Sequence, residues 1–216
     1  MSSSQIVPAT TGRRALKKLQ TREALSQAAL QLFQRRGFDA VTIDDITADA
    51  GVSRRTFFRY FSSKEAVFFA PQEARLVSFE ARISATTPSG QTDPLATGAL
   101  DRVMAGVLEM ADLYQTQREE VLATHRVLSA ARGLAAWDQQ LDSRWETAIV
   151  DALRPEFGEL HAVVFAGAII GTVRAGLRRW FAADAGFDLV DFGLQAFATL
   201  ATGLPVAPPP TSTSPL

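Results

Sequence analysis

The chain has 216 residues, 47% of them apolar and 21% charged, which is enough to bury a sizeable core and too apolar for a disordered polymer. It has no cysteine, so neither a disulfide framework nor a thiolate metal site is open to it, and a reducing cytoplasm is the expected compartment. The net charge of −1 hides a split: residues 1–64 hold 11 Lys and Arg against 5 Asp and Glu, while residues 65–216 hold 11 against 18, so only the front suits a polyanion.

Residues 1–12 are polar, lack the apolar run of a secretory signal, and read as a flexible tail. Residues 13–36 read as a helix, because Leu25, Ala28, Ala29, Leu32 and Phe33 share one stripe and Gly37 follows as a stop. Thr42 is placed to cap a short helix, with Asp45 completing a capping box and Ile43, Ile46 and Ala50 facing inward. Gly51 closes it. Ser53 then caps a second short helix over 54–61, with Phe57 and Phe61 on one face and a basic face opposite. Ser62-Ser63-Lys64 restart the chain into a longer helix over 64–85.

A loop over 86–92 leads to Asp93-Pro94, a cap followed by proline at the first helical position; the stripe beyond it carries Leu100, Val103, Met104, Val107, Leu108 and Ala111. A helix over 117–131 follows. Another, over 134–153, carries Trp137, Leu141, Trp145 and Ile149 at four-residue steps, with Pro155 as its stop. The last two helices, over 159–182 and 188–203, are apolar on nearly every side. Their most apolar run, 160–173, is shorter than the roughly 20 residues a bilayer needs, so it reads as a buried helix and no membrane is expected. Such helices are buried most simply against a second copy in a four-helix interface. Val164, Ala168, Gly171, Leu194 and Phe197 are expected there, with Ala166, Gly167, Ala168 and Gly171 permitting close approach. Residues 205–216, rich in proline, serine and threonine, read as a second flexible tail. The expected fold is all-α: a helical module over 13–63 and a helical dimerisation domain over 64–204.

The strongest motif runs from Thr42 to Lys64. Two short helices joined by a glycine turn match a helix-turn-helix, whose second helix enters the major groove of double-stranded DNA with its N-terminal residues at the base edges. Arg54, Arg55 and Thr56 hold those places. Thr42, Ala50 to Ser53, the aromatic run Phe57 to Phe61, and Phe61 to Glu65 resemble the tetracycline-repressor (TetR) family pattern. The resemblance implies that Thr42 and Lys64 bind phosphates, that Ser53 and Tyr60 anchor to the backbone, and that Arg54, Arg55 and Thr56 face bases. Arginine suits guanine, because its fork donates to O6 and N7 together. Phe58 stands where many relatives have tyrosine, and Arg59 is positioned to compensate for the missing hydroxyl. Thr47 replaces a usual alanine. The competing reading of the arginines is a solvated helix face, and Arg13, Arg14, Lys17 and Lys18 divide evenly between a DNA-contacting arm and a soluble tail.

In the second domain Phe68, Phe69, Met104, Leu108, Tyr114, His125, Trp137 and Trp145 are the expected wall of an effector pocket, with ordinary core packing as the competing role. The stretch from His125 through Trp137 to Arg178-Arg179-Trp180 is similar to the actinobacterial branch that includes mycofactocin-system regulators. That likeness implies an acyl-CoA effector with its phosphates near Arg118, Arg126 or Arg132. The function implied is a homodimeric repressor that a small-molecule effector releases from a palindromic operator, with no cofactor and no metal. A sequence-neutral DNA-binding protein is the first alternative. An enzyme is the second, and the chain offers it no nucleophile elbow, phosphate-binding glycine loop or dinucleotide fingerprint.

Overall fold

A computed structural model describes residues 9–84 and 98–202, with side chains from Leu16 onward. Among these residues the regular elements are helices: α1 (Ala9–Arg36), α2 (Ile43–Asp49), α3 (Arg54–Tyr60), α4 (Lys64–Ile83), α5 (Ala99–Thr116), α6 (Arg118–Ala130), a 3-10 turn (Arg132–Leu134), α7 (Ala135–Ala182) and α8 (Leu189–Thr202). The fold is all-α, as the periodicity predicts. Residues 9–12, read as tail, are the first turn of α1, whereas Asp93-Pro94 and residues 205–216 lie outside the described residues.

The chain turns where glycine allows a backbone that other residues avoid. Gly37 and Gly51 take φ of 79° and 64° at the ends of α1 and α2. Within α7 the break falls at Gly158, with φ 76° and ψ 169°, not at the expected Pro155. Proline removes one N–H and crowds one turn, which a long helix can absorb; a positive φ turns the chain away from the helix path. The two halves of α7 lie close enough for Arg174 to reach Asp142 at 3.1 Å.

One core joins α1, α2, α3 and the start of α4 through Leu25, Phe33, Ile46, Phe57 and Phe69, and it continues into Val127, Ala131, Leu134 and Leu141. The division expected after residue 63 is therefore bridged by continuous packing. A second core holds Phe79, Val103, Ile149, Leu153, Ala166 and Phe197, and a third gathers Val121, Leu122, Trp180 and Leu189. At Gly176 a Cβ would stand 2.6 Å from the Phe192 ring, so only glycine lets α8 lie this close to α7.

One face of the α7–α8 pair is bare. Leu160 is 72% exposed, Val164 58% and Leu194 51%, and a Cβ at Gly167 or Gly171 would meet nothing. The run 160–173, read as buried, is buried within this chain only along Ala162, Ala166, Ile169 and Ile170.

Candidate functional site

The helix-turn-helix is held by its caps. Thr42 Oγ1 accepts from the Asp45 N–H at 3.1 Å, and Asp45 Oδ2 accepts from the Thr42 N–H at 2.8 Å and from the Thr42 hydroxyl at 2.6 Å. Arg36, at the end of α1, donates to the other carboxylate oxygen at 2.9 Å. Ser53 Oγ accepts from the Thr56 N–H and starts α3. Thr47 is buried and donates to the Asp44 carbonyl, so its hydroxyl is spent locally.

Several residues that the resemblance singles out are bonded within the protein. The Thr42 hydroxyl, expected on a phosphate, donates to Asp45. Lys64, also expected on a phosphate, donates to the carbonyls of Phe38 and Val41 at 2.7 and 2.9 Å and lies 4.3 Å from the Phe38 ring centroid, so it ties α4 to the α1–α2 loop. Arg54 gives one nitrogen to both oxygens of Asp44, at 3.0 and 3.1 Å, which the sequence reading missed. Arg55 is exposed and, among the described residues, makes no hydrogen bond or ion pair. Arg59 lies over the Tyr60 ring at 5.0 Å. Together Arg55, Thr56, Phe58 and Arg59 line a shallow cleft on the outer face of α3, and Phe58 is 48% exposed there. Lys17 and Lys18 are exposed on α1.

Thr42 first, then Arg36, holds the Asp45 carboxyl well below the usual range. A carboxylate whose pKa falls on folding stabilises the fold above its unfolded value of about 3.9, and that contribution is lost as pH drops through the folded value. Unfolding followed by circular dichroism is expected to show Asp45→Asn less stable than the parent at neutral pH and insensitive to the part of acid destabilisation that begins below about pH 4.

The second site is a cavity of about 160 Å³ between α4, α5, both halves of α7, and α8. Of the eight residues named for an effector pocket, Leu108, Tyr114 and Trp145 line this cavity. The other five do not. Phe68 packs on Phe33 and Phe38, Phe69 stacks on Trp137 at 6.0 Å, and all three expected residues Phe68, Phe69 and Trp137 thus serve the first core. Met104 packs on the second core, and His125 stacks on Phe181 at 3.7 Å, where burial lowers its pKa. Phe197, expected at the dimer interface, is 4% exposed and faces this cavity. Val164, Ala168, Gly171 and Leu194 are exposed. Arg118 donates to the Asp184 carbonyl and Arg126 pairs with the Asp184 carboxylate; neither they nor Arg132 line the cavity. The polar groups on its wall that sequence reasoning missed include Asp142, Thr172 and Arg174.

Residues 25–70, from α1 into α4, match the family profile described as bacterial regulatory proteins, tetR family. The chain is 35% identical over 114 residues to the HTH-type transcriptional regulator TcmR of Streptomyces glaucescens, covering 51% of this chain and 50% of TcmR. It is 49% identical over 43 residues to the putative mycofactocin biosynthesis transcriptional regulator MftR of Mycobacterium tuberculosis, covering 20% of this chain and 22% of MftR. The matched part thus spans about half the length of the first relative and about a fifth of the second. The fold is similar to that of Thermus thermophilus FadR, a TetR-family transcriptional repressor solved in complex with lauroyl-CoA, with a TM-score of 0.59 at 22% identity over 89% of this chain and 100% of that one. The capped pair α2–α3 lies inside the matched segment, so residues 25–70 form a module similar to that of the tetR family of bacterial regulatory proteins, and the helices behind it share the fold of the FadR neighbour.

Proposed function

We propose that this chain is a DNA-binding transcriptional repressor, acting in the cytoplasm as a homodimer and released from a palindromic operator by a small effector held in the α4–α5–α7–α8 cavity. The observation that carries the DNA reading is α3: a capped helix seated by Phe57, with Arg59 and the Arg55 guanidinium, unpaired among the described residues, on its open face. Two such helices, about 34 Å apart, fit successive major grooves. Thr42, Ser53, Arg54 and Lys64 set the shape of the motif, and Arg55, Thr56, Arg59 and Tyr60 are the proposed DNA-facing set.

The bare face of α7 and α8 supports the dimer. By length and composition α7 contains a window apolar enough to cross a membrane, but its opposite side is built into the protomer through Ala162, Ala166 and Ile169. A second copy, bringing the same strip through a two-fold axis, covers what one protomer leaves open. For the cavity, the wall of Leu108, Ile149, Ile170 and Phe197 suits an apolar body such as the acyl chain of the lauroyl-CoA held by FadR. An effector releases DNA only by preferring the arrangement that does not bind it.

Footprinting and competition binding on the DNA upstream of the chain's own reading frame test this function. Binding to a palindrome there is expected to exceed binding to random DNA at physiological salt by at least about 1,000-fold; equal affinities would instead establish a sequence-neutral protein. Arg55→Ala is expected to weaken the operator complex by about 1 to 3 kcal/mol and to blur one base position in each half-site.

A further inference from the structure

The cavity has a charged mouth that its apolar wall does not require. Asp142 on the first half of α7 and Arg174 on the second both line it, and they pair at 3.1 Å with each side chain 45% exposed. A half-solvated pair of this kind contributes little to stability, so exchange of one partner is cheap. Asp138, one turn before Asp142, is half-buried, and burial together with Asp142 raises its pKa while Arg174 opposes the rise. On α4, Arg75 is committed to Gln117 at 2.8 Å and to Glu120, and lies over the Tyr114 ring.

The mouth therefore offers one carboxylate and one guanidinium, with the Asp138 carboxyl close enough to Asp142 and Arg174 to feel both. An anionic guest would take Arg174 and leave Asp142 beside Asp138 without its counter-ion. A cationic guest instead gives Asp142 a new partner and leaves Arg174, already half in water, to solvent. Behind the mouth stand Phe79, Tyr114, Trp145 and Phe192, whose ring faces attract a cation and whose area suits an apolar body. Resting on the reading of this cavity as the effector site, we propose that it takes a small organic cation, an aromatic or aliphatic body bearing one positively charged nitrogen, and that this nitrogen displaces Arg174 from Asp142.

Three probes that share one ring system test the charge: naphthylmethylammonium, naphthylacetate and methylnaphthalene, titrated calorimetrically into the full chain without DNA. The ammonium is expected to bind at least about tenfold tighter than the acetate, equivalent to about 1.4 kcal/mol. Asp142→Asn is expected to erase that advantage while leaving methylnaphthalene affinity and thermal unfolding unchanged. Arg174→Ala is expected to weaken the acetate and spare the ammonium. Tighter binding of the acetate, or no binding by any of the three, overturns the proposal. Fluorescence anisotropy with labelled operator reads the other question: an ammonium that binds as expected yet leaves DNA bound keeps the charge assignment and removes the effector role.

Discussion

Shortening Phe57 to alanine is expected to lower stability by about 3 to 5 kcal/mol and to abolish operator binding with it. Phe57 is fully buried and is the one residue of α3 packed entirely within the first core, with edge contact to Phe58 at 5.5 Å and tilted contact to Phe61 at 5.8 Å. Seven residues are too few for a helix to persist on its own, so α3 exists because this ring is seated. Urea unfolding by circular dichroism and anisotropy with labelled operator measure the two losses. Probe binding in the α4–α5–α7–α8 cavity, which belongs to another core, is expected to survive. Operator affinity unchanged by Phe57→Ala would mean that α3 is not the reading helix.

Val164→Asp is expected to convert the proposed dimer to monomer and to reduce operator affinity about 100-fold or more, because two linked reading heads gain that much over one. Val164 sits 58% exposed in the bare strip of α7, with Gly167, Ala168 and Gly171 beside it and Leu194 exposed on α8. Near a two-fold axis the substitution occurs twice and buries two carboxylates against apolar surface. Sedimentation equilibrium reads the assembly. Leu153 and Ile149, on the protomer's own core, are untouched by the change, so unfolding of the monomer remains cooperative. A dimer unaffected by Val164→Asp would place the interface elsewhere.

The helix-turn-helix was legible because its signals are local. Thr42 and Asp45 are three residues apart, Gly51 and Ser53 fix the turn, and Phe57 and Phe61 share a face whatever the rest of the chain does. Roles that depend on distant partners were not. The Lys64 ammonium is bonded to the carbonyls of Phe38 and Val41 in the loop before α2, and Arg54 is held by a carboxylate ten residues earlier. The cavity shows the same limit. A stripe of Phe68, Phe69 and Trp137 marks a buried face without saying which helix covers it, and that helix is on the side of α1. Asp142 and Arg174 look like ordinary surface charges until the break at Gly158 brings the two halves of α7 together. Phe197 lay on a helix with two apolar faces, and periodicity alone gives no reason to prefer the inner one.

Leu141 is packed in the same cluster as Phe57, and its neighbour in the chain, Asp142, borders the cavity. Under the proposed function, a guest in the cavity and an operator on α3 would act on packing joined at consecutive residues of one helix. Thermodynamic reciprocity then binds the two events in both directions: by whatever factor a guest loosens the hold on DNA, DNA loosens the hold on the guest. The cell's count of occupied operators would thus set, in part, how readily the signal itself is captured.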